Sequence, residues 1–302
     1  MKNQEVQEII QCMPKGRTFF PYYKDRYAPM LLRWMFDEQF KVSEVKQSRY
    51  AGLLEKPPVK NLLATSGNGT LSAESLSLTW AEPHEQFLLT LGQWGGESVR
   101  WQQTSRAGFN LVLQINMHEG YRKAFDHYLP TEFSYLFDSI GHPVLEPGKC
   151  ELFRQTLGWV RLDIDMSTNE ALIEEIQSDW IKDVYFLKNQ CKSQAEFKKI
   201  HGYSCFVINR LGKIWDEALL CAALWFLREE LGVTSIWYHT FDSGNQLKRI
   251  KYCKPPRSLY SKLPRKFYFT ETRDQPIFLS KDKSYRRSIK GLNEPRWFQM
   301  QV

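Results

Sequence analysis

Trp159-Val160-Arg161-Leu162-Asp163-Ile164-Asp165-Met166, then Ser167-Thr168-Asn169, then Ala171-Leu172-Ile173-Glu174-Glu175-Ile176-Gln177: this stretch decides the fold. Polar and apolar residues alternate with period two, and Ser-Thr-Asn is turn chemistry, so the segment predicts a long antiparallel hairpin. On the first strand Arg161, Asp163 and Asp165 share one face, opposite Leu162, Ile164 and Met166. On the return, Glu175, Gln177 and Asp179 share a face, and Glu174 and Ser178 share the other. Burying an unpaired carboxylate costs several kcal/mol, so these acids need arginines, backbone donors, a metal or water. Two readings stand: an internal ion-pair network around Arg161, or a functional cleft.

Working outward, residues 109–116 predict a strand, and 118–128 a helix closing at Leu129-Pro130. Residues 214–231 carry Trp215, Leu219, Ala222, Ala223, Phe226 and Leu227 at three- and four-residue spacing, with Gly232 as the stop, which predicts a core helix. A buried strand over 235–240, a helix from 244 and closing strands over 266–270 and 276–279 follow. Residues 181–212 read as an insertion, and Gly92-Gln93-Trp94-Gly95-Gly96 as a turn. This order gives an α/β class: a mixed, largely antiparallel sheet flanked by helices. The expected division is a helical or irregular N-terminal extension over 1–85, the α/β domain over 86–280 and a loosely ordered basic tail over 281–302.

The 302 residues are 42% hydrophobic, 25% charged and 14% aromatic, which excludes disordered, collagen-like and coiled-coil classes. No run reaches the roughly 20 apolar residues of a membrane helix, and no signal-peptide core follows Met1. A cytoplasmic protein is the expectation. The six cysteines show neither zinc nor redox spacing. The six histidines show no metal spacing either, although His239 ends a predicted central strand, where α/β sheets hold ligands. Net charge is +7. Cations concentrate over 248–290, interleaved with Tyr252, Tyr260, Phe267, Tyr268, Phe269 and Tyr285, a pattern that suits single-stranded nucleic acid or a core-facing set of rings. Arg106 closes a polar run that starts at Trp101; just before a strand, it is placed to meet a phosphate or carboxylate as a two-pronged fork.

From the strand over 235–240, through Asn245 opening a helix, to Leu259-Tyr260, Pro264 and the next predicted strand, the chain resembles the closing pattern of the GCN5-related N-acetyltransferase (GNAT) fold. The resemblance spans roughly 105–280. It implies an acyltransferase, or a degenerate relative, using acetyl-CoA or another acyl-CoA on a small-molecule or protein amine. It implies a hairpin glutamate as base, here Glu175 with Glu174 in reserve, beside a strand bulge that polarises the thioester. It also implies a pyrophosphate cradle opening the following helix, for which Arg210 and Gly212 are the candidates, with Asn245 in the next turn. Relative to that loop Arg210 and Gly212 stand one residue closer together, and Ile214 holds the second small position. Glu174-Glu175-Ile176-Gln177-Ser178-Asp179-Trp180 is also similar to a segment of large polyvalent proteins of phages and mobile elements, which implies a shared structural module. Arg161, Trp180 and His239 join Arg106 as candidate substrate contacts. The rival chemistry is a PD-(D/E)XK-type nuclease, with Asp163 or Asp165 and Glu175-Ile176-Gln177 around a metal and Gln177 where that family has lysine; a nucleic-acid-binding module of mobile DNA is the non-enzymatic form of this alternative.

Overall fold

A computed structural model describes residues 1–12, 18–67, 69–96, 102–129, 141–145, 153–190 and 198–302. Trp101, Pro130 and two of the six cysteines, Cys150 and Cys191, lie outside these. The strands in chain order are β1 (Thr18–Tyr23), β2 (Gln39–Lys41), β3 (Thr70–Ser72), β4 (His84–Gly96), β5 (Gly108–His118), β6 (Phe153–Asp165), β7 (Glu170–Gln177), β8 (Ser235–His239), β9 (Thr270–Thr272) and β10 (Trp297–Gln301). Eight of them form one mixed sheet in the order β1-β4-β5-β6-β7-β8-β10-β9, while β2 and β3 pair separately. Every pairing in the large sheet is antiparallel except β7 with β8. The chain is therefore an α/β protein with a mostly antiparallel sheet flanked by helices.

The hairpin forms where its alternation requires, β6 turning into β7 with Asp165 opposite Glu170 and Asn169 left-handed at φ 55°. One face of the sheet is apolar. Leu111, Leu113, Ile115, Val160, Leu162, Ile164, Ala171, Ile173 and Ile236 are all buried in the main core, together with the helix Trp215–Trp225. That helix ends in a wider turn over Phe226–Glu230, with Gly232 left-handed at φ 68°. The other face carries a buried polar set, Thr90, Asn110, Gln114, Asn116, Arg161 and Asp163, beside Val112, Trp159, Leu172 and Trp237.

Three stretches differ from the sequence expectation, each for a local reason. Gly92–Gly96 does not turn; it ends the long strand β4, and a Cβ on Gly95 would stand 2.4 Å from the Gly108 carbonyl oxygen, so glycine permits the close β4–β5 approach. The strand expected over 266–270 is the end of the helix Lys262–Lys266 followed by a turn with Tyr268 at φ 63°; that turn buries Phe267 and Phe269 together and imitates alternation. The strand expected over 276–279 is the helix Ile277–Lys281, which Pro276 precedes with φ −53°. Residues 181–212 carry two helices, Asp179–Gln190 and Lys198–Arg210.

Both ends of the chain enter the sheet. β1 is an edge strand, which is where Pro21 is tolerated, and Tyr22, Tyr27, Leu31 and Leu32 share the main core. Near the C-terminus, Asp282 caps the helix Lys283–Ile289 through the Tyr285 N–H, and β10 lies between β8 and β9. Trp297 is fully buried. Trp297→Ala should therefore cost about 3–5 kcal/mol in urea unfolding; an unchanged midpoint would mean that β10 does not belong to the folded sheet.

Candidate functional site

The polar face is closed over by five consecutive residues before β5. Gln102 and Gln103 present their carbonyl oxygens to Arg161 Nη1 and Nη2 at 2.9 and 3.1 Å. Ser105 donates its N–H and Oγ–H to the two oxygens of Glu174, at 2.9 and 3.0 Å. Arg106 grips Asp163 with Nε and Nη2 at 2.7 and 2.8 Å, so its fork meets a carboxylate of its own chain. The amino group of Met1 stands 3.0 Å from the same Asp163. One short loop thus satisfies three charged residues of the hairpin.

The remaining acids are partnered as well. Glu175 lies 2.8 Å from Arg161 Nε, an ion pair whose N–H is not aligned for a hydrogen bond. Glu170 accepts from Trp237 Nε1 at 3.1 Å and from the Phe278 N–H at 3.2 Å. Asp165 accepts from Ser167 and Thr168 and closes the hairpin turn. Among the described residues no group of three or more His, Cys, Asp or Glu is arranged to hold a metal.

Glu174 is the bulge residue: the β6–β7 register skips it between Arg161↔Glu175 and Leu162↔Ile173. The extra residue brings Glu174 under the loop that covers the face of Glu175, the opposite of what strict alternation predicts. Glu175 stays near the polar rim, and Glu174 is fully buried against His239 Nε2 at 3.0 Å. Burial alone would push Glu174 up, but the His239 hydrogen bond, the Lys248 charge and the Ser105 N–H more than offset it and hold it at about 2. Burial lowers His239, whose Nε2 faces the Glu174 carboxylate. Its Nδ1 has no hydrogen-bond partner among the described residues. Ser105, His239 and Glu174 have the composition of a nucleophile triad, yet serine and acid sit on the same ring nitrogen. With no acid on Nδ1 and the group sealed, the arrangement cannot pass a proton from serine to base.

β7 and β8 pair only over Glu170–Ile173 and Ser235–Tyr238, and β7 runs on to Gln177 paired with β6 alone. The wedge beyond the pairing is filled. Lys248 Nζ donates to the Glu174 carbonyl oxygen at 2.7 Å and lies 5.3 Å from the Tyr260 ring centre, and both side chains are buried. The start of the helix Trp215–Trp225 likewise has no place for a pyrophosphate. Its first turn carries Asp216 and Glu217, the latter accepting from Tyr22 Oη and paired with Lys24 and Lys266. A Cβ on Gly212 would stand 2.7 Å from the Ile208 carbonyl oxygen, so this glycine folds back on the last turn of the helix Lys198–Arg210. Arg210 pairs with Glu85 and lies over Phe206 and Tyr121. Asn245 donates to the Phe241 carbonyl inside its own helix. These residues do not fit acyl-CoA.

One end of the polar face does reach solvent. Gln177 Nε2 donates to Asp179 Oδ1 at 2.8 Å, and Asp179 Oδ2 meets His142 Nδ1. The His142 side chain is 38% exposed and Asp179 10%, so the imidazole forms the rim and the acid lies beneath it. Trp159 and Trp94 flank His142, with ring centres 5.2 and 6.4 Å away. The Asp179 hydrogen bond raises His142 above its ordinary value. Burial would raise Asp179, but His142 and Gln177 hold it below. One turn along the helix, burial and the Asp179 charge push Asp183 up to about 6.

No family model, curated protein or solved structure matches this chain. Its site is therefore read from geometry. The structure gathers Glu175, Gln177 and Asp179 at the open end, and seals Asp163, Glu174, Arg161 and His239 beneath the loop. Trp180 is buried, its Nε1 donating to Tyr203 Oη at 3.0 Å. His142 is the residue sequence reasoning missed: it lies between Gly141 and Pro143, and its partner is 37 positions away. Glu174→Ala should cost about 3–5 kcal/mol in chemical unfolding, since it strands the buried donors of Ser105 and His239. Glu55→Ala on the surface should change stability by less than about 0.5 kcal/mol; equal effects would contradict the sealed arrangement.

Proposed function

We propose that this chain is a degenerate relative of the GNAT-like architecture, its acyl-donor wedge closed and the open end of its polar face retained as a proton-transfer site. His142 is the general base, Asp179 orients it, and Gln177 holds Asp179. The observation that carries this reading is the imidazole with a carboxylate on Nδ1, no described partner on Nε2 and partial exposure. That is the arrangement by which an acid fixes the tautomer and leaves Nε2 to accept a proton. Asp179 beneath His142, with Glu175 on the same side of the hairpin, favours a substrate with an amine, charged on arrival and deprotonated by Nε2.

The order of elements supports the architecture: a long hairpin with a bulge on its second strand, the core helix, β8, a helix containing Asn245, then Leu259-Tyr260. The filled wedge and the acidic helix start favour a protein that takes no acyl group from CoA. Calorimetry with acetyl-CoA should give no binding heat. Saturable binding lost in Gly212→Val would restore the acyltransferase reading.

The proton-transfer claim is tested by nuclear magnetic resonance on histidine-labelled protein. His142 should titrate above its ordinary value of about 6.5, fall toward it in Asp179→Asn, and shift when a small primary amine is added. Titration at or below 6.5 with no amine response would remove the base. The same pair sets a stability window. Raised His142 contributes stability that is full below about 6.5 and lost as pH rises through its folded value; lowered Asp179 contributes above about 3.9 and is lost as pH falls through its folded value. The stability deficit of Asp179→Asn should peak between about pH 4 and 6.5 and shrink on either side; a pH-independent deficit would contradict the pairing.

A further inference from the structure

The helix Lys283–Ile289 has two sharply different sides. Tyr285 is buried in a cluster with Leu247, Phe278 and Trp297, and Ile289 packs against it. Lys283, Arg286, Arg287 and Lys290 recur at three- and four-residue intervals on the outer side, exposed and with no ion-pair partner among the described residues. Like charges at that spacing repel and weaken a helix, so the ridge is a cost to the isolated fold. A second basic segment starts from the same cluster. Leu247 ends the helix Phe241–Leu247, and the chain continues into a loop with Arg249, Lys251 and Lys254 exposed. On that loop Tyr252 is 85% exposed, more than any other large hydrophobic side chain described. Tyr260, Phe267, Phe269 and Tyr285, from the same basic region, are buried core.

We infer that the loop 249–254 and the outer side of the helix Lys283–Ile289 form a docking surface for single-stranded nucleic acid, with the cations on the phosphates and the Tyr252 ring stacked on a base. The ring decides the class of partner. Cations alone suit any polyanion, but an exposed aromatic between lysines offers a π-face that an unpaired base can cover and a stacked duplex cannot. The surface is independent of His142 and stands or falls separately from the reading of that site.

The test is fluorescence anisotropy of the full chain with a labelled oligothymidylate, a duplex of equal length and vesicles containing phosphatidylserine, over a salt series. The single strand should bind most tightly, with affinity falling steeply as salt rises. The triple variant Lys283→Gln, Arg286→Gln, Arg287→Gln should make the log–log salt slope shallower by about 2, at about 0.7 per single-strand phosphate contact. Tyr252→Ala should weaken single-strand binding about tenfold and leave the slope unchanged. Thermal melts verify that both variants fold. Salt-independent binding, an unaltered slope in the triple variant, a preference for duplex, or binding to vesicles but not to the oligonucleotide would each overturn the inference.

Discussion

Glu174 can stay ionised at the centre of the sheet only because four groups converge on it or beside it: the N–H and Oγ of Ser105, Nε2 of His239 and the ammonium of Lys248. These donors come from three separate stretches of the chain, so this one carboxylate ties the loop before β5, strand β8 and the segment after the helix Phe241–Leu247 to the bulge in β7. The bulge itself follows from the same constraint. Without the extra residue, strict alternation past Ile173 would send Glu175 into the apolar core and turn Ile176 to the polar face. Asp163, gripped by Arg106, repeats the solution one strand away.

This arrangement divides the polar face. Under the loop Gln102–Arg106 the charges neutralise one another and hold the fold, since removing one member strands the others. Past the loop the same hairpin carries Gln177 to Asp179 and on to His142, where the last group in this series of contacts meets solvent. The imidazole thus meets its carboxylate at the edge of a buried set of contacts, the setting in which the proposed base would be held in place.

The hairpin, the helix Trp215–Trp225 and β8 were legible because their side chains follow one period and their partners are local or wholly apolar. β1 and β10 were not. Thr18–Tyr23 is nearly continuous aromatic sequence with a proline, and Trp297–Gln301 follows a basic segment; both become strands through pairing with distant partners, β4 and β8. For the site, alternation grouped Glu175, Gln177 and Asp179 on one side but sent Glu174 to the other, and it could not foresee that a bulge brings Glu174 under the loop that covers the same polar face. Nor could spacing find His142, which meets Asp179 only through a tertiary contact. The rings of the basic region show the same limit: spacing groups them all alike, and burial leaves Tyr252 as the one that stands clear of the core.

The most direct test of the sealed lattice is carboxyl footprinting of the native protein with a carbodiimide and a small amine, read residue by residue by mass spectrometry. Asp163, Glu170 and Glu174 should remain unlabelled while Asp37 and Glu55 on the surface react fully, and unfolding in urea should expose the first three to the reagent. Labelling of Asp163 and Glu174 at the surface rate in the native state would contradict the account, because the hairpin acids would then line an open cleft.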